Sequence, residues 1–247
     1  MQTLRRSLLF ALILLAGPVM AQAAEVKVAV AANFTETAKL LATAFEKKTG
    51  HKVTQSFGAS GQFYAQITNG APFEVFLSAD AERPVKLDSD GLTVAGTRFV
   101  YAYGKLVLWS ADKRVDTKGA VLSKGNFDKL AIADPAAAPY GVAAIETLTK
   151  LGLYERLQPK IVKGGNIAQT YTFVATGAAE LGFVALSQVQ SKSGSSWLVP
   201  ANLYSPIDQQ AVLLKTGANN PAARAYMAFL RSPEAVKIIR SHGYEVR

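Results

Sequence analysis

Short apolar segments alternate with amphipathic segments of helical length along most of this chain. Residues 26–32 form an apolar run typical of a buried strand, and 34–49 repeats apolar residues at the spacing of one helix face before Gly50. This alternation predicts an open, largely parallel α/β architecture. Strands are predicted at 26–32, 52–58, 73–79, 105–111, 129–134, 161–164, 181–186, 196–200 and 211–215. Helices are predicted at 34–49, 61–69, 81–89, 141–151, 153–157, 167–176, 187–191, 221–231 and 233–241.

The residues before the first strand have the pattern of a secretory signal peptide. Arg5 and Arg6 precede an apolar run over 8–16, and small residues follow at 21–23. Residues 1–23 are therefore predicted to be removed, and no later apolar run approaches the roughly 20 residues that a membrane span needs. With no cysteine in its 247 residues, the chain has no disulfide and no thiolate metal ligand. We expect a periplasmic protein whose mature chain does not insert into a membrane.

The charge of the chain is basic but scattered. Without the first 23 residues, 25 basic and 18 acidic side chains give a net charge of +7. Lys and Arg occur in pairs such as Lys47-Lys48, without a long run and without interleaved aromatic residues. A nucleic-acid partner is therefore not expected.

The sequence offers no convincing catalytic group. Its two histidines, His51 and His242, lie in turn-like contexts without metal-ligand partners at helical or hairpin spacing. Nucleotide-binding glycine loops and a G-x-S-x-G motif are absent from the sequence. The carboxylate pairs Asp80/Glu82 and Asp88/Asp90 lie in polar, turn-rich sequence, where solvated surface charge is expected. We therefore expect no catalytic residue, no cofactor and no residue that ligates a metal cation.

The first strand ends at Ala32-Asn33, where a helix is predicted to start. Unpaired N–H groups and the positive end of the helix dipole favour an anion at such a position. Asn33 is predicted to cap this helix, with Glu36 completing a capping box. A purely structural cap is the competing interpretation.

The same arrangement recurs at three later positions. Ser60 follows Gly58 and offers a hydroxyl donor, although it could be an ordinary N-cap serine. Tyr140 follows a Pro-rich loop and could direct its N–H or its phenol at an anion, or lie on the surface. Ile167 could contribute only its backbone N–H, or could simply be a core residue.

The chain resembles periplasmic molybdate-binding proteins, which supply ABC importers. The similarity spans nearly the whole mature chain, in order and spacing. It is carried by Ala31-Ala32-Asn33-Phe34-Thr35, Ser56-Phe57-Gly58-Ala59-Ser60-Gly61, residues 70–80, Asp134-Pro135 with Pro139-Tyr140-Gly141, and Leu181-Gly182-Phe183-Val184-Ala185. The resemblance implies a type II-like two-lobe fold, each lobe a mixed, mainly parallel sheet flanked by helices. It also implies a molybdate or tungstate dianion held between the lobes by hydroxyl and backbone N–H groups.

The resemblance places the ligand-binding positions of the family on five residues of this chain. These are Ala32, Asn33, Ser60, Tyr140 and Ile167. Asn33 stands where a serine is common, and Ala185 stands where many members have a ligand tyrosine. We expect the phenol of Tyr140 to replace the hydroxyl that Ala185 lacks.

The resemblance further implies how the chain is divided and with what it associates. One lobe is expected to comprise 25–103 plus 208–247 and the other 104–207, with extended crossings near 101–104 and 204–210. The expected partners are the oxyanion and an inner-membrane ABC permease, with the receptor a monomer. A receptor for sulfate or chromate, a secreted α/β enzyme acting on an anionic substrate, and a structural or adhesive domain remain the alternatives.

Overall fold

The computed structural model describes residues 23–247. The predicted signal segment, apart from Ala23, lies outside the described residues. Within residues 23–247, no helix combines the length and the apolar character needed to span a bilayer.

The first sheet is built around the apolar run that opens the described chain. β1 is central to the parallel part because its residues from Val28 to Ala31 are buried and its two edges pair with β2 and β3. β10 then runs antiparallel to both β3 and β4. The strands of this sheet, in spatial order, are β2 (Lys52–Gly58), β1 (Glu25–Ala31), β3 (Val75–Leu77), β10 (Ile207–Leu213) and β4 (Phe99–Gly104).

The second sheet repeats this design with the middle of the chain. β6 pairs in parallel with β7 and β8, whereas β5 runs antiparallel to β8 and β9. In spatial order the strands are β7 (Ile161–Gly164), β6 (Leu130–Ala133), β8 (Leu181–Ala185), β5 (Leu106–Ser110) and β9 (Ser195–Leu198).

Helices connect most of the strands and pack on the sheet faces. They are α1 (Thr35–Thr49), α2 (Ser60–Thr68), α3 (Glu82–Ser89), α4 (Ala120–Lys124), α5 (Pro139–Lys150), α6 (Tyr154–Leu157), α7 (Ile167–Ala175), α8 (Leu186–Val189), α9 (Pro221–Phe229) and α10 (Pro233–Ser241). Short 3-10 helices occupy Ala32–Phe34, Gln158–Lys160, Ala201–Leu203 and Lys215–Gly217.

The two sheets define two lobes, which we name the first and second lobe after the order of their sheets. The chain passes from β4 to β5 through Lys105 alone, and it returns between β9 and β10. The predicted lobe boundaries agree with this sheet membership but stay a prediction. The expected fold class is confirmed: each sheet is mixed and mainly parallel, because four of its five strands run in one direction and a single strand, β10 or β5, runs against them. These two reversed strands lie next to the crossings.

A few elements differ from those predicted. β4 forms a full strand where only an extended crossing was expected, and β10 begins at Ile207 instead of residue 211. Both strands become regular because they pair with each other, which local sequence does not specify. The short helix α4 lay in a segment for which no element was predicted.

One apolar cluster joins the two lobes. The core of the second lobe, with Leu106, Phe183 and Tyr140, also includes Ala32 and Ala59 at the strand ends of the first lobe. The lobes are therefore in direct contact around the site described next.

Candidate functional site

A small cavity lies where strand ends of the first lobe face helix starts of the second. It is narrow, with a volume of about 10 Å³. All five residues predicted to bind an oxyanion line it: Ala32, Asn33, Ser60, Tyr140 and Ile167. Ala31, Gly58, Ala59, Ala79, Ala138, Pro139 and Asn166 complete the wall. Among the described residues the wall therefore contains no ionisable side chain other than the phenol of Tyr140.

Four helix starts converge on this cavity. The 3-10 helix that begins at Ala32 follows β1, and α2 begins at Ser60 directly after β2. From the second lobe, α5 begins at Pro139 and α7 begins at Ile167. First-turn N–H groups have no partner within their helix, so these starts present backbone donors and positive dipole ends to the cavity.

Ser60 brings the clearest side-chain donor. The side chain is buried, and its Oγ accepts a hydrogen bond from the N–H of Ala79 at 2.9 Å. Because the oxygen is held as an acceptor, the hydroxyl hydrogen is left for donation into the cavity.

Asn33 is held differently from the predicted cap. α1 begins at Thr35 with Phe34 as its N-cap and without a side-chain cap, so the predicted capping box is wrong. The intervening 3-10 helix moves Asn33 away from the cap position, and Glu36 pairs with Lys39 instead. The amide nitrogen of Asn33 donates to Gln209 Oε1 at 2.8 Å and to the Tyr244 hydroxyl at 2.9 Å. With both amide hydrogens donated, the backbone N–H remains as the donor that Asn33 offers to a ligand.

The phenol of Tyr140 lies beside residues that do not line the cavity. Its oxygen lies 3.4 Å from Gln209 Nε2, and a Cβ added to Gly104 would overlap it. Neither Gln209 nor Gly104 lines the cavity. Because the ring is directed at these inter-lobe strands, the geometry favours the backbone N–H at the start of α5 as the donor of Tyr140. The replacement of the hydroxyl missing at Ala185 stays a prediction.

Burial also fixes the protonation state of this tyrosine. Desolvation raises the pKa of the Tyr140 phenol well above the ordinary tyrosine value. The ring therefore stays neutral, and the cavity wall has the same charge throughout the physiological pH range.

Ile167 is positioned by a glutamine that sequence reasoning missed. Asn166 caps α7 by accepting from Gln169 N–H at 2.9 Å. Gln188 accepts from Ala185 N–H at 3.0 Å and donates to Ile167 C=O at 3.1 Å. This side chain ties the end of β8 to the start of α7, and no local motif indicated it.

Hydrogen bonds join the two lobes beside the cavity. Gly61 N–H donates to Ala137 C=O at 2.9 Å, and the hydroxyl of Ser187 donates to Asn33 C=O at 3.0 Å. Arg83, paired with Asp80, adds a bond of 3.3 Å to Ala136 C=O. The structure thus has its lobes closed over the cavity.

The remaining ionisable candidates lie in other surroundings. Glu82 pairs with Lys86, Asp88 pairs with Arg98, and Asp90 accepts from the Tyr64 hydroxyl. Within residues 23–247, no group of three or more His, Cys, Asp or Glu side chains is placed to hold a metal ion.

Two lobes of mixed sheet that close over a small cavity with an uncharged wall are typical of a solute-binding protein. Residues 26–245 match the family of bacterial extracellular solute-binding proteins, and the chain belongs to it. The molybdate-binding protein ModA of Rhodobacter capsulatus is 60% identical over 98% of this chain and 97% of its own length. The protein of the same name from Azotobacter vinelandii is 58% identical over 91% of each chain.

Solved structures show the same architecture. The periplasmic molybdate-binding protein of Azotobacter vinelandii superposes with a TM-score of 0.88 at 47% identity, covering 90% of this chain and 99% of its own. A sulfate-binding protein from Mycobacterium tuberculosis has a TM-score of 0.76 at 12% identity, covering 90% and 86%, and shows the fold alone.

Proposed function

We propose that this chain captures molybdate, and tungstate with it, in the periplasm and delivers it to an ABC importer of the inner membrane. The observation that carries the proposal is the convergence of Ala32, Asn33, Ser60, Tyr140 and Ile167 on one uncharged cavity. The high identity to two molybdate-binding proteins over nearly their full length supports the choice of ligand.

A cavity of uncharged donors selects an anion by the protonation state of that anion. Phosphate near neutral pH carries a proton that needs an acceptor, and a cavity of N–H and O–H donors offers it none. A buried polar group left without a partner costs about 1–3 kcal/mol, so phosphate is disfavoured. Molybdate, tungstate and sulfate are fully ionised and accept from every donor.

Size separates sulfate from the heavier oxyanions. Bonds from molybdenum or tungsten to oxygen are longer than those from sulfur, so a fixed set of donors reaches all four oxygens of only one size class. The direct contacts between the lobes, such as Gly61 to Ala137, fix the distance between the donor sets.

Capture and release follow from the two-lobe design. Donors from both lobes meet only when the lobes close, so a dianion bridges them and its loss favours opening by a hinge motion. The hinge lies in the crossings between β4 and β5 and between β9 and β10, with lobes at 25–103 plus 208–247 and at 104–207. The receptor acts as a monomer without catalytic activity, after removal of residues 1–23.

Isothermal titration with a panel of oxyanions tests this proposal. We expect molybdate and tungstate to bind at least about 100-fold more tightly than sulfate, a difference of about 2.7 kcal/mol, and phosphate to bind weakly if at all. Chromate, whose bonds to oxygen are intermediate in length between those of sulfate and molybdate, should fall between them. Sulfate binding as tight as molybdate binding would overturn the assignment of the ligand, and no binding of any member would overturn the receptor itself.

A further inference from the structure

Three polar groups form a closed ring of hydrogen bonds beside the cavity. The amide of Asn33 donates to the Tyr244 hydroxyl at 2.9 Å, and that hydroxyl donates to Ser187 Oγ at 2.9 Å. Ser187 then donates to the backbone C=O of Asn33 at 3.0 Å. Each hydrogen is used once, and each bond polarises the next, which strengthens the set as a whole.

Only one member of this ring belongs to the second lobe. Asn33 follows β1 and Tyr244 follows α10, both in the first lobe, whereas Ser187 lies on α8 directly after β8. Tyr244 also lies 2.8 Å from the Asn33 C=O, so it can bond that oxygen without Ser187. The ring is therefore complete only when the lobes are closed. When the lobes open, Asn33 and Tyr244 can still bond each other within the first lobe.

Ser187 has no place in the wall of the cavity. It lines a neighbouring cleft between α1, α7 and α8, which shares Ala32 and Asn33 with the cavity. Its hydroxyl nevertheless donates to the backbone C=O of Asn33, a residue that lines the cavity.

We propose that Ser187 is a positioning residue for oxyanion binding, a latch that holds the closed lobes through Asn33 and Tyr244 without contacting the ligand. The identity of the ligand in this inference rests on the proposed function. The contact between the lobes does not, because residues of the chain alone make it. Since the latch stabilises the closed state itself, it increases the affinity for every oxyanion by the same factor. Removing it raises the rate of ligand release.

The substitution Ser187→Ala removes both inter-lobe bonds of Ser187. The bond from the Asn33 amide to Tyr244 remains, and the Tyr244 hydroxyl can donate to the Asn33 C=O instead, so one bond is lost in all. One net hydrogen bond corresponds to a loss of about 3- to 10-fold in affinity. We expect this loss for molybdate and for sulfate alike, with an unchanged ratio and a faster dissociation rate in stopped flow. The matched control is Ser195→Ala, since Ser195 is a half-buried serine of the same lobe that bonds Asp112 C=O away from the cavity.

Inter-lobe distances test the latch without a ligand. The chain has no cysteine, so spin labels can be attached at Lys47→Cys on α1 and Thr172→Cys on α7, two exposed positions in different lobes. Pulsed electron resonance should show a larger open population for Ser187→Ala than for the parent or for Ser195→Ala, in the ligand-free or the molybdate-bound state.

The outcomes separate the two proposals. If the parent chain binds no oxyanion, the proposed function fails, and the distance measurement still decides whether Ser187 latches the lobes. If Ser187→Ala changes neither the distances nor the affinity, the latch is overturned and the proposed function stands. A loss for one anion only would also overturn it, because a residue that holds the closed state does not distinguish ligands.

Discussion

Ser60 and Tyr140 both bring a buried hydroxyl to the neighbourhood of the cavity, but the two hydroxyls face different groups. That of Ser60 is anchored on Ala79 N–H and can donate to a ligand. That of Tyr140 lies beside Gly104 and Gln209, two residues that do not line the cavity. We therefore expect the hydroxyl of Ser60 to bind the anion and that of Tyr140 to contribute to packing.

The substitution Tyr140→Phe should leave molybdate affinity within about threefold of the parent, because the backbone N–H at the start of α5 is retained. The substitution Ser60→Ala should weaken binding by about 1–3 kcal/mol, since a hydrogen bond to a charged ligand is lost. Isothermal titration measures both changes. Ser110→Ala is the control, as Ser110 is a buried serine bonded to Glu180 C=O in the second lobe. A tenfold or larger loss in Tyr140→Phe would show that the phenol does bind the anion.

The identity of these residues was predictable from sequence, but the atoms that they present were not. Local motifs and spacing led to Asn33 and Tyr140 because strand ends and helix starts are encoded locally. The partners that turn the Asn33 amide away from the cavity, Gln209 and Tyr244, lie 176 and 211 positions along the chain. Such contacts depend on how two sheets are placed against each other, and no local pattern specifies that.

At the scale of elements, the residues of the candidate site lie at helix starts, and each sheet pairs strands that are distant in the sequence. Most strands and helices follow from apolar periodicity, as in β2 and α10, whose bounds match those predicted. β4 was missed because its regularity depends on pairing with β10, about a hundred residues later. α4 was missed because its five residues are too few for a periodic pattern.

The start of α5 depends on a close approach between helix and strand. A Cβ added to Gly141 would overlap the carbonyl oxygen of Ala133 on β6. Alanine normally stabilises a helix relative to glycine by about 0.4–1 kcal/mol. Here we expect the opposite sign, because the helix start must move away from the strand at a cost of about 1–3 kcal/mol.

Urea unfolding of Gly141→Ala should therefore give a lower midpoint, and titration should show weaker molybdate binding because Tyr140 N–H moves with the helix. The control is Val142→Ala on the same turn, whose side chain is 42% exposed, and whose stability should change by less than about 0.5 kcal/mol. An unchanged or higher midpoint for Gly141→Ala would contradict the close-approach argument.

At the scale of the whole molecule, buried tyrosines concentrate in the first lobe and at the junction of the lobes. Burial raises the pKa of Tyr101, Tyr140, Tyr226 and Tyr244 above the ordinary tyrosine value. In the unfolded chain these phenols ionise near pH 10, whereas the folded chain keeps them neutral. The unfolded state therefore binds fewer protons in alkali, and the free energy of unfolding falls as pH rises.

We expect this free energy to be nearly constant from about pH 7 to pH 9 and to fall above about pH 10, by up to about 1.4 kcal/mol for each such tyrosine at pH 11. Urea unfolding monitored by circular dichroism at several pH values measures the trend. Tyr226→Phe is the informative variant, because the Tyr226 hydroxyl makes no hydrogen bond of normal geometry with another described residue. The variant should match the parent near pH 8 and lose less stability at pH 11, since it has one phenol fewer to ionise on unfolding. Equal losses in the two chains would show that Tyr226 titrates normally in the folded state.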